Sequence, residues 1–475
     1  MHGMAGLRRG MASLGLALLL TAGAVLPAHA GAYPWVPLGD DLKFIPDPRV
    51  ELQLRLYMIR QARESIDVVI YEQGDDEAVG LPVLSALREA ADRGVKVRII
   101  THWFFQYLTH PFNESPSYTT NPPTAVPIEY VVFGSPIAVA RSGWHPSDGI
   151  HGKIMIVDRH WALTTGRGHA EGSLGWIDSA FAMKGALVDQ SQTAFEELLA
   201  AAKAGGEIHT PTFRRSERTP RQVTQWLPNE KARLDEKGKE ELAGLIIWLH
   251  QPPPQTLTTE AGRRGRLLHY DFVRQMAQLA PGAADKPWIF EKRLRQLKDP
   301  VIDAAVARLS TAGAGSEVRF TSMYAILHPR LKQAVIEARE RGAKVSMLTN
   351  GELVAPPITT MAYLASINDI ADLTKHGMQV HKFRRTSPWW FMHLKLMIVD
   401  NTVFFGSHNL NVPSSAANDE MHYEIEDPKL AAECRAFFDY AVAKSTELVD
   451  PASAEAARPW GSVARTILDP VLGFY

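Results

Sequence analysis

His151-Gly152-Lys153-Ile154-Met155-Ile156-Val157-Asp158 and His393-Leu394-Lys395-Leu396-Met397-Ile398-Val399-Asp400 spell one octad twice, H-x-K-x-M-I-V-D. In a strand, residues i and i+2 point to one face, so His151 emerges beside Lys153 and His393 beside Lys395. The apolar run after each pair suits a strand buried on both faces, which would hold the polar pair rigidly. Asp158 and Asp400 stand seven residues beyond their histidines. That odd separation puts them on the opposite face of a regular strand.

The surroundings of the octads repeat as well. Residues 65–71 (S-I-D-V-V-I-Y) read as a buried strand, and Val83, Leu84, Leu87, Ala90 and Ala91 recur at helical spacing. Arg93-Gly94 stops that helix, and residues 95–100 (V-K-V-R-I-I) form the next strand. In the second half, residues 318–324, 329–341 and 344–349 supply the same strand, helix and strand, with Gly342 following Arg341. The octads follow Arg93 and Arg341 at offsets of 58 and 52 residues. Strand–helix–strand units build parallel sheets, so the fold class is α/β, with one unit used twice.

Composition agrees with two or three folded cores. The chain has 475 residues, 45% hydrophobic and 22% charged, too apolar and too long for a disordered chain or one small module. A single cysteine, Cys434, excludes an intramolecular disulfide, a thiolate zinc site and an iron–sulfur cluster. With 51 Lys plus Arg against 52 Asp plus Glu, a broadly basic surface that coats nucleic acid is disfavoured. Arg8 and Arg9 precede an apolar run over residues 11–26, and Ala28-His29-Ala30 places small residues at a cleavage point. This is the pattern of a secretory signal peptide, and the run falls short of the about 20 apolar residues of a spanning helix. The expectation is a leader over residues 1–30, removed from a periplasmic or secreted protein. A first lobe then occupies residues 31–204 and a second lobe residues 299–475. Between them, residues 205–298 read as a charged insertion, helical over residues 240–250 and 270–279, forming a lid or linker.

Two H-x-K-x4-D motifs at matching places of an internal repeat resemble the phospholipase D superfamily. In one long exported chain they are most similar to its cardiolipin synthase and phosphatidyltransferase branch. The resemblance implies two α/β/α lobes related by a pseudo-two-fold axis, with the active site at the lobe interface. It also implies chemistry on a phosphodiester: His151 attacks phosphorus to give a phosphohistidine, His393 protonates the leaving alcohol, and Lys153 and Lys395 stabilise charge on the phosphoryl oxygens. Imidazole suits both roles because its pKa of about 6.5 allows either form near neutral pH. The residues themselves leave open which histidine attacks. Supporting positions carried over are Asp158 and Asp400, structural or histidine-orienting; Ser407 and Asn409 near phosphate; Glu420, orienting the histidine across the site; and Asp178 as its counterpart. Gly168 stands where the family commonly carries Asn.

Neither cofactor nor metal is expected, because a lysine beside each histidine repels a divalent cation. His102, His145, His160 and His169 read as polar or capping residues. Phe104, Phe105, Trp389 and Trp390 either grip acyl chains or pack in the core, and Arg384 and Arg385 either bind phosphate or lie on a solvated face. The expected partners are a phospholipid and an alcohol or water acceptor, with peripheral membrane contact and a monomeric chain. Two other readings stay open: an exported nuclease of the same superfamily, although its small endonucleases carry one motif per chain and dimerise, and a catalytically decayed lipid- or anion-binding protein.

Overall fold

The computed structural model describes residues 31–74, 76–103, 124–134, 148–205, 232–252, 262–279, 290–351, 357–386 and 388–472. The leader, Phe104, Phe105 and His145 lie outside the described residues, as do residues 206–231, 253–261 and 280–289 of the insertion.

Two sheets carry the repeat. In the first, Ser65–Ile70, Lys96–His102 and Glu129–Phe133 run parallel, and Ile154–Val157 joins antiparallel to Ser65–Ile70. Trp161–Thr165, Ala180–Lys184 and Leu42–Ile45 complete its seven strands among the described residues. In the second, Glu317–Thr321, Lys344–Asn350 and Gln379–Phe383 run parallel, and Leu396–Val399 is antiparallel to Glu317–Thr321. The register is common to both halves: Ile66 faces Val157, and Val318 faces Val399. Helices Gly80–Asp92 and Pro329–Glu340 make the crossovers. Both stop as their glycines predict, because Gly94 (φ 100°) and Gly342 (φ 99°) adopt a backbone conformation that a Cβ would strain.

The region between the lobes departs from its sequence reading. Arg264–Tyr270 is a strand of the second sheet, paired along its whole length with Asn418–Glu426. Leu267, Leu268, His269 and Tyr270 are fully buried there, so burial decided the conformation of a segment that carries no strand periodicity. The expected helix over residues 270–279 starts at Phe272, because the Asp271 carboxylate accepts from the Arg274 N–H (3.0 Å) and begins the helix there. Gly31–Ala32 and Val36–Pro37 also pair with Arg264–Tyr270, so the start of the expected first lobe belongs to the second sheet. Helix Glu236–His250 is no lid over the cleft. Its Leu245, Trp248 and Leu249 bury against the outer helix Pro48–Gln61 of the first lobe, and Trp248 Nε1 donates to the Asp40 carbonyl (2.6 Å).

The lobes share one core. Ile154 and Phe181 of the first lobe pack in the same cluster as Leu396 and Phe405 of the second, and the Phe181 and Phe405 rings stack. Across this boundary the Tyr423 hydroxyl meets Ser191 Oγ at 2.7 Å. Cys434 is buried in the shared core. Among the described residues, no helix is long and apolar enough to cross a membrane.

Candidate active site

Each histidine is delivered to the lobe interface by a two-residue strand that pairs with the other lobe. Gly149–Ile150, just before His151, runs parallel to Asn418–Asp419, just before Glu420, and the His151 N–H donates to the Asp419 carbonyl (3.0 Å). Phe391–Met392, just before His393, runs parallel to Trp176–Ile177, just before Asp178, and the His393 N–H donates to the Ile177 carbonyl (2.9 Å). Asp178 and Glu420 each stand 27 residues beyond their own lobe's histidine, and each reaches the histidine of the opposite lobe. His151 Nδ1 lies 2.9 and 3.0 Å from the two Glu420 oxygens. His393 Nδ1 lies 2.9 Å from Asp178 Oδ2.

The lysines follow the same symmetry with one exception. Lys153 Nζ donates to the His151 carbonyl (2.8 Å), and Lys395 Nζ to the His393 carbonyl (2.7 Å). Lys395 Nζ also lies 3.0 Å from His393 Nδ1, so an ammonium and a carboxyl group meet at one ring nitrogen. Lys153 Nζ instead sits 5.0 Å above the ring of Tyr71, which meets His151 edge-on. On the other side, Trp176 lies 4.4 Å from the His393 ring and contacts Trp390 and Phe391.

Burial is the largest single influence on each of these groups, and charged neighbours decide where it is overruled. It depresses His151 to about 4, with the pull of Glu420 upward only partly offsetting it, so this imidazole is neutral near neutral pH. Burial, then Lys395 and Lys153, hold His393 well below its ordinary value. Burial and Lys395 bring Lys153 down to about 7, and burial brings Lys395 to about 8. The two carboxyls diverge. Burial alone would raise Glu420, but His151, His408 and Lys153 outweigh it and hold the group at about 2. Asp178 is raised, because burial there exceeds the opposing effects of Lys395 and Arg167. An ionised Glu420 fixes the His151 proton on Nδ1 and leaves the Nε2 lone pair available.

Several supporting positions serve the backbone and not the reacting groups, and for Asp158 and Asp400 this is the structural role among the two that the sequence offered. Asp158 and Asp400 lie outside the site, in tight turns at φ 51° just past their strands. Asp158 accepts the backbone N–H groups of Arg63, Glu64 and Ser65 (2.8–2.9 Å), and Asp400 accepts that of Glu317 (2.9 Å). The strands end at Val157 and Val399, so the opposite-face argument does not apply. Ser407 Oγ donates to the Met421 carbonyl (3.2 Å) and accepts the Met421 N–H (3.0 Å), which closes the ladder and commits the hydroxyl to the backbone. Asn409 is buried with Oδ1 unpaired. A side chain at Gly168 would sit 3.1 Å from Glu72 Oε2 and 3.2 Å from Glu72 Cβ, so Glu72 fills the space an Asn would take.

The remaining candidates divide similarly. Trp390 is seated in the lobe bridge: its Nε1 donates to the Gly172 carbonyl (3.1 Å), and its ring would lie 2.3 Å from a Cβ at Gly175. Trp389 is half-buried against the shared core. Arg384 pairs with Glu447. His102 Nε2 meets the Asp148 carbonyl (2.9 Å) and its ring stacks on Tyr71, His169 meets Gln73 (2.7 Å), and His160 lies in the exposed turn after Asp158.

Sequence reasoning missed four residues. Tyr71 and Trp176 carry no motif of their own. Gly166 is required because a Cβ there would lie 2.2 Å from Asp178 Oδ2. Arg293, inside the insertion, is fully buried and clamps the lobes, with Nη2 to Asp148 Oδ2 (2.9 Å) and Nη1 to the Ala416 carbonyl (3.0 Å).

The family described as "Cardiolipin synthase, PLD-like domain" matches residues 56–203 and 307–442, one match per lobe and more than half of the chain together. The chain belongs to this phospholipase D-like family. Its fold is similar to that of phosphatidylserine synthase from Haemophilus influenzae Rd KW20, with a TM-score of 0.59 at 13% identity over 92% of this chain and 94% of that one. The phospholipase D family member Nuc from Salmonella typhimurium is 23% identical over 31% of this chain and 89% of its own, with a TM-score of 0.25. No curated protein matches the chain in sequence. This phospholipase D-like chain therefore carries both of its family's motifs on one polypeptide, and the pseudo-two-fold axis relates two histidine–carboxylate pairs that each span the lobe boundary.

Proposed function

We propose that the protein is a phosphodiesterase or phosphatidyltransferase acting on phospholipids through a phosphohistidine on His151. The observation that carries this reading is the pair of cross-lobe dyads, His151–Glu420 and His393–Asp178, each with a buried lysine two residues along. A phosphodiester anion seated between Lys153 and Lys395 would be attacked by the neutral His151, whose Nδ1–H is held by Glu420. His393 on the opposite side would protonate the leaving alcohol and then deprotonate the incoming water or alcohol. The lysines stabilise charge that grows on the phosphoryl oxygens, and their burial strengthens that effect because water cannot screen it. The aromatic walls, Tyr71 on one side and Trp176 with Phe391 on the other, give a lipid's glycerol and acyl portions apolar surface beside the reacting phosphate. Export through the residue 1–30 leader, with action at a membrane surface, belongs to the same proposal.

Purified protein incubated with phosphatidylglycerol and phosphatidylethanolamine, with and without alcohol acceptors and in chelator, tests it by lipid-product mass spectrometry. The expected result is head-group release or exchange, with a trapped phosphoenzyme that disappears in His151→Ala. Folded protein that leaves both lipids intact refutes the reading, and chelator-resistant degradation of DNA beside inert lipids replaces it with a nuclease.

A further inference from the structure

The two dyads are built alike but not charged alike. At His151 the Glu420 carboxylate is, among the described residues, the group that faces Nδ1, and both ring geometry and electrostatics keep it ionised. At His393 the same nitrogen is approached by Asp178 Oδ2 at 2.9 Å and by the Lys395 ammonium at 3.0 Å. A proton on Nδ1 would point at that ammonium, and a full imidazolium would add a cation to a buried site that already holds Lys153, Lys395 and Arg167. Asp178 itself is dry. Its Oδ1 accepts the Ser179 N–H (2.8 Å), Gly166 leaves only the room that Oδ2 occupies, and the residue is 1% exposed. Moving one proton from imidazolium to carboxylate turns a buried ion pair into a neutral pair, which a desolvated site favours.

We propose that the proton delivered to the leaving group is stored on the Asp178 carboxyl, with His393 standing as a neutral imidazole, Nε2–H toward the substrate, between that store and the phosphate. This rests on the phosphohistidine reading above and assigns its acid. The raised proton affinity of Asp178 and the depressed affinity of His393 agree with it. In the first step, the His151 Nε2 lone pair forms the N–P bond as the P–O bond breaks. The departing oxygen takes the proton from His393 Nε2, and Asp178 Oδ2–H passes its proton to Nδ1. In the second, the incoming water or alcohol forms the new O–P bond as N–P breaks. Its proton goes to Nε2, and the Nδ1 proton returns to Asp178. No proton is exchanged with solvent during a cycle of transfer. The dyads therefore differ by one proton, loaded at His393 and empty at His151, and this difference separates acid from nucleophile despite the near-symmetry.

Infrared difference spectra of aspartate-13C-labelled protein, wild type minus Asp178→Asn near neutral pH, test the proposal without turnover. The expected result is a protonated-carboxyl C=O band in the wild type that is absent from Asp178→Asn and retained in Glu420→Gln. A difference spectrum showing only a carboxylate at Asp178 overturns it. Should Asp178→Asn fail to fold, the 15N shifts of the wild-type histidines decide: with the His393 resonances assigned by their loss in His393→Gln, an unprotonated Nδ1 and protonated Nε2 support the proposal, and two protonated nitrogens refute it. A protein inert toward phospholipids but loaded at Asp178 would count against the substrate reading alone. Lipid turnover with an ionised Asp178 would count against the proton store alone.

Discussion

Replacing Gly166 with Ala isolates the His393 dyad from the rest of the site. The added Cβ would meet Asp178 Oδ2 at 2.2 Å, and the carboxyl is boxed in by its bond to the Ser179 N–H. A non-bonded C···O contact needs more than 3 Å, so Oδ2 must retreat by roughly 1 Å, taking its present 2.9 Å contact with His393 Nδ1 beyond hydrogen-bonding range. A hydrogen bond at a charged or charge-exchanging group is worth about 1.5–3 kcal/mol, which corresponds to about 10- to 150-fold in rate. The loss should depend on the leaving group. A p-nitrophenolate departs without a proton, so single-turnover release of p-nitrophenol from an aryl diester should stay within about threefold of wild type, whereas cleavage of an alkyl phosphodiester falls by the full factor. Stopped-flow absorbance measures the first and lipid mass spectrometry the second, with thermal melting as the control for folding. Equal losses on both substrates, or none on either, would refute the reasoning that Gly166 acts through Asp178 on proton transfer.

The pH profile follows from the same groups. With His151 protonating at about 4, and Lys153 and Lys395 losing their charge at about 7 and 8, kcat/KM should form a bell. The acid limb removes the nucleophile, the alkaline limb removes the phosphate-binding charge, and Lys153→Arg moves the alkaline limb upward. Arg293→Met leaves Asp148 charged and buried, so thermal unfolding should show a destabilisation of about 3–5 kcal/mol, and adding Asp148→Leu should restore part of it. Asp158→Ala, which frees three backbone N–H groups, should lower the melting temperature more than Asp400→Ala, which frees one, and both should leave kcat unchanged within about twofold.

The sequence made the repeat legible because the burial demands of a parallel sheet and the glycine stops of its helices are local signals. Arg93-Gly94 and Arg341-Gly342 end helices in both copies for the same backbone reason. The four side chains His151, Lys153, His393 and Lys395 were legible too, since an i, i+2 pair at the head of an apolar strand has one available direction. Arg264–Tyr270 was not legible as a strand, because its fit depends on the edge of a sheet built from residues about 150 positions later. Ser407 looked free to meet phosphate until the backbone of Met421 arrived beside it.

By itself, the sequence determined that one α/β unit occurs twice and that each copy directs a histidine and a lysine to one face. Periodicity and spacing within a few residues suffice for that. Which carboxylate serves which histidine was decided only by tertiary structure, because the short parallel pairings of Gly149–Ile150 with Asn418–Asp419 and of Phe391–Met392 with Trp176–Ile177 cross the lobe boundary. The difference between the two dyads arises at that same level. Lys395 reaches the ring nitrogen of its own histidine while Lys153 lies over Tyr71, and Gly166 leaves room for only one position of Asp178, so burial and neighbours separate two groups that their motifs make identical.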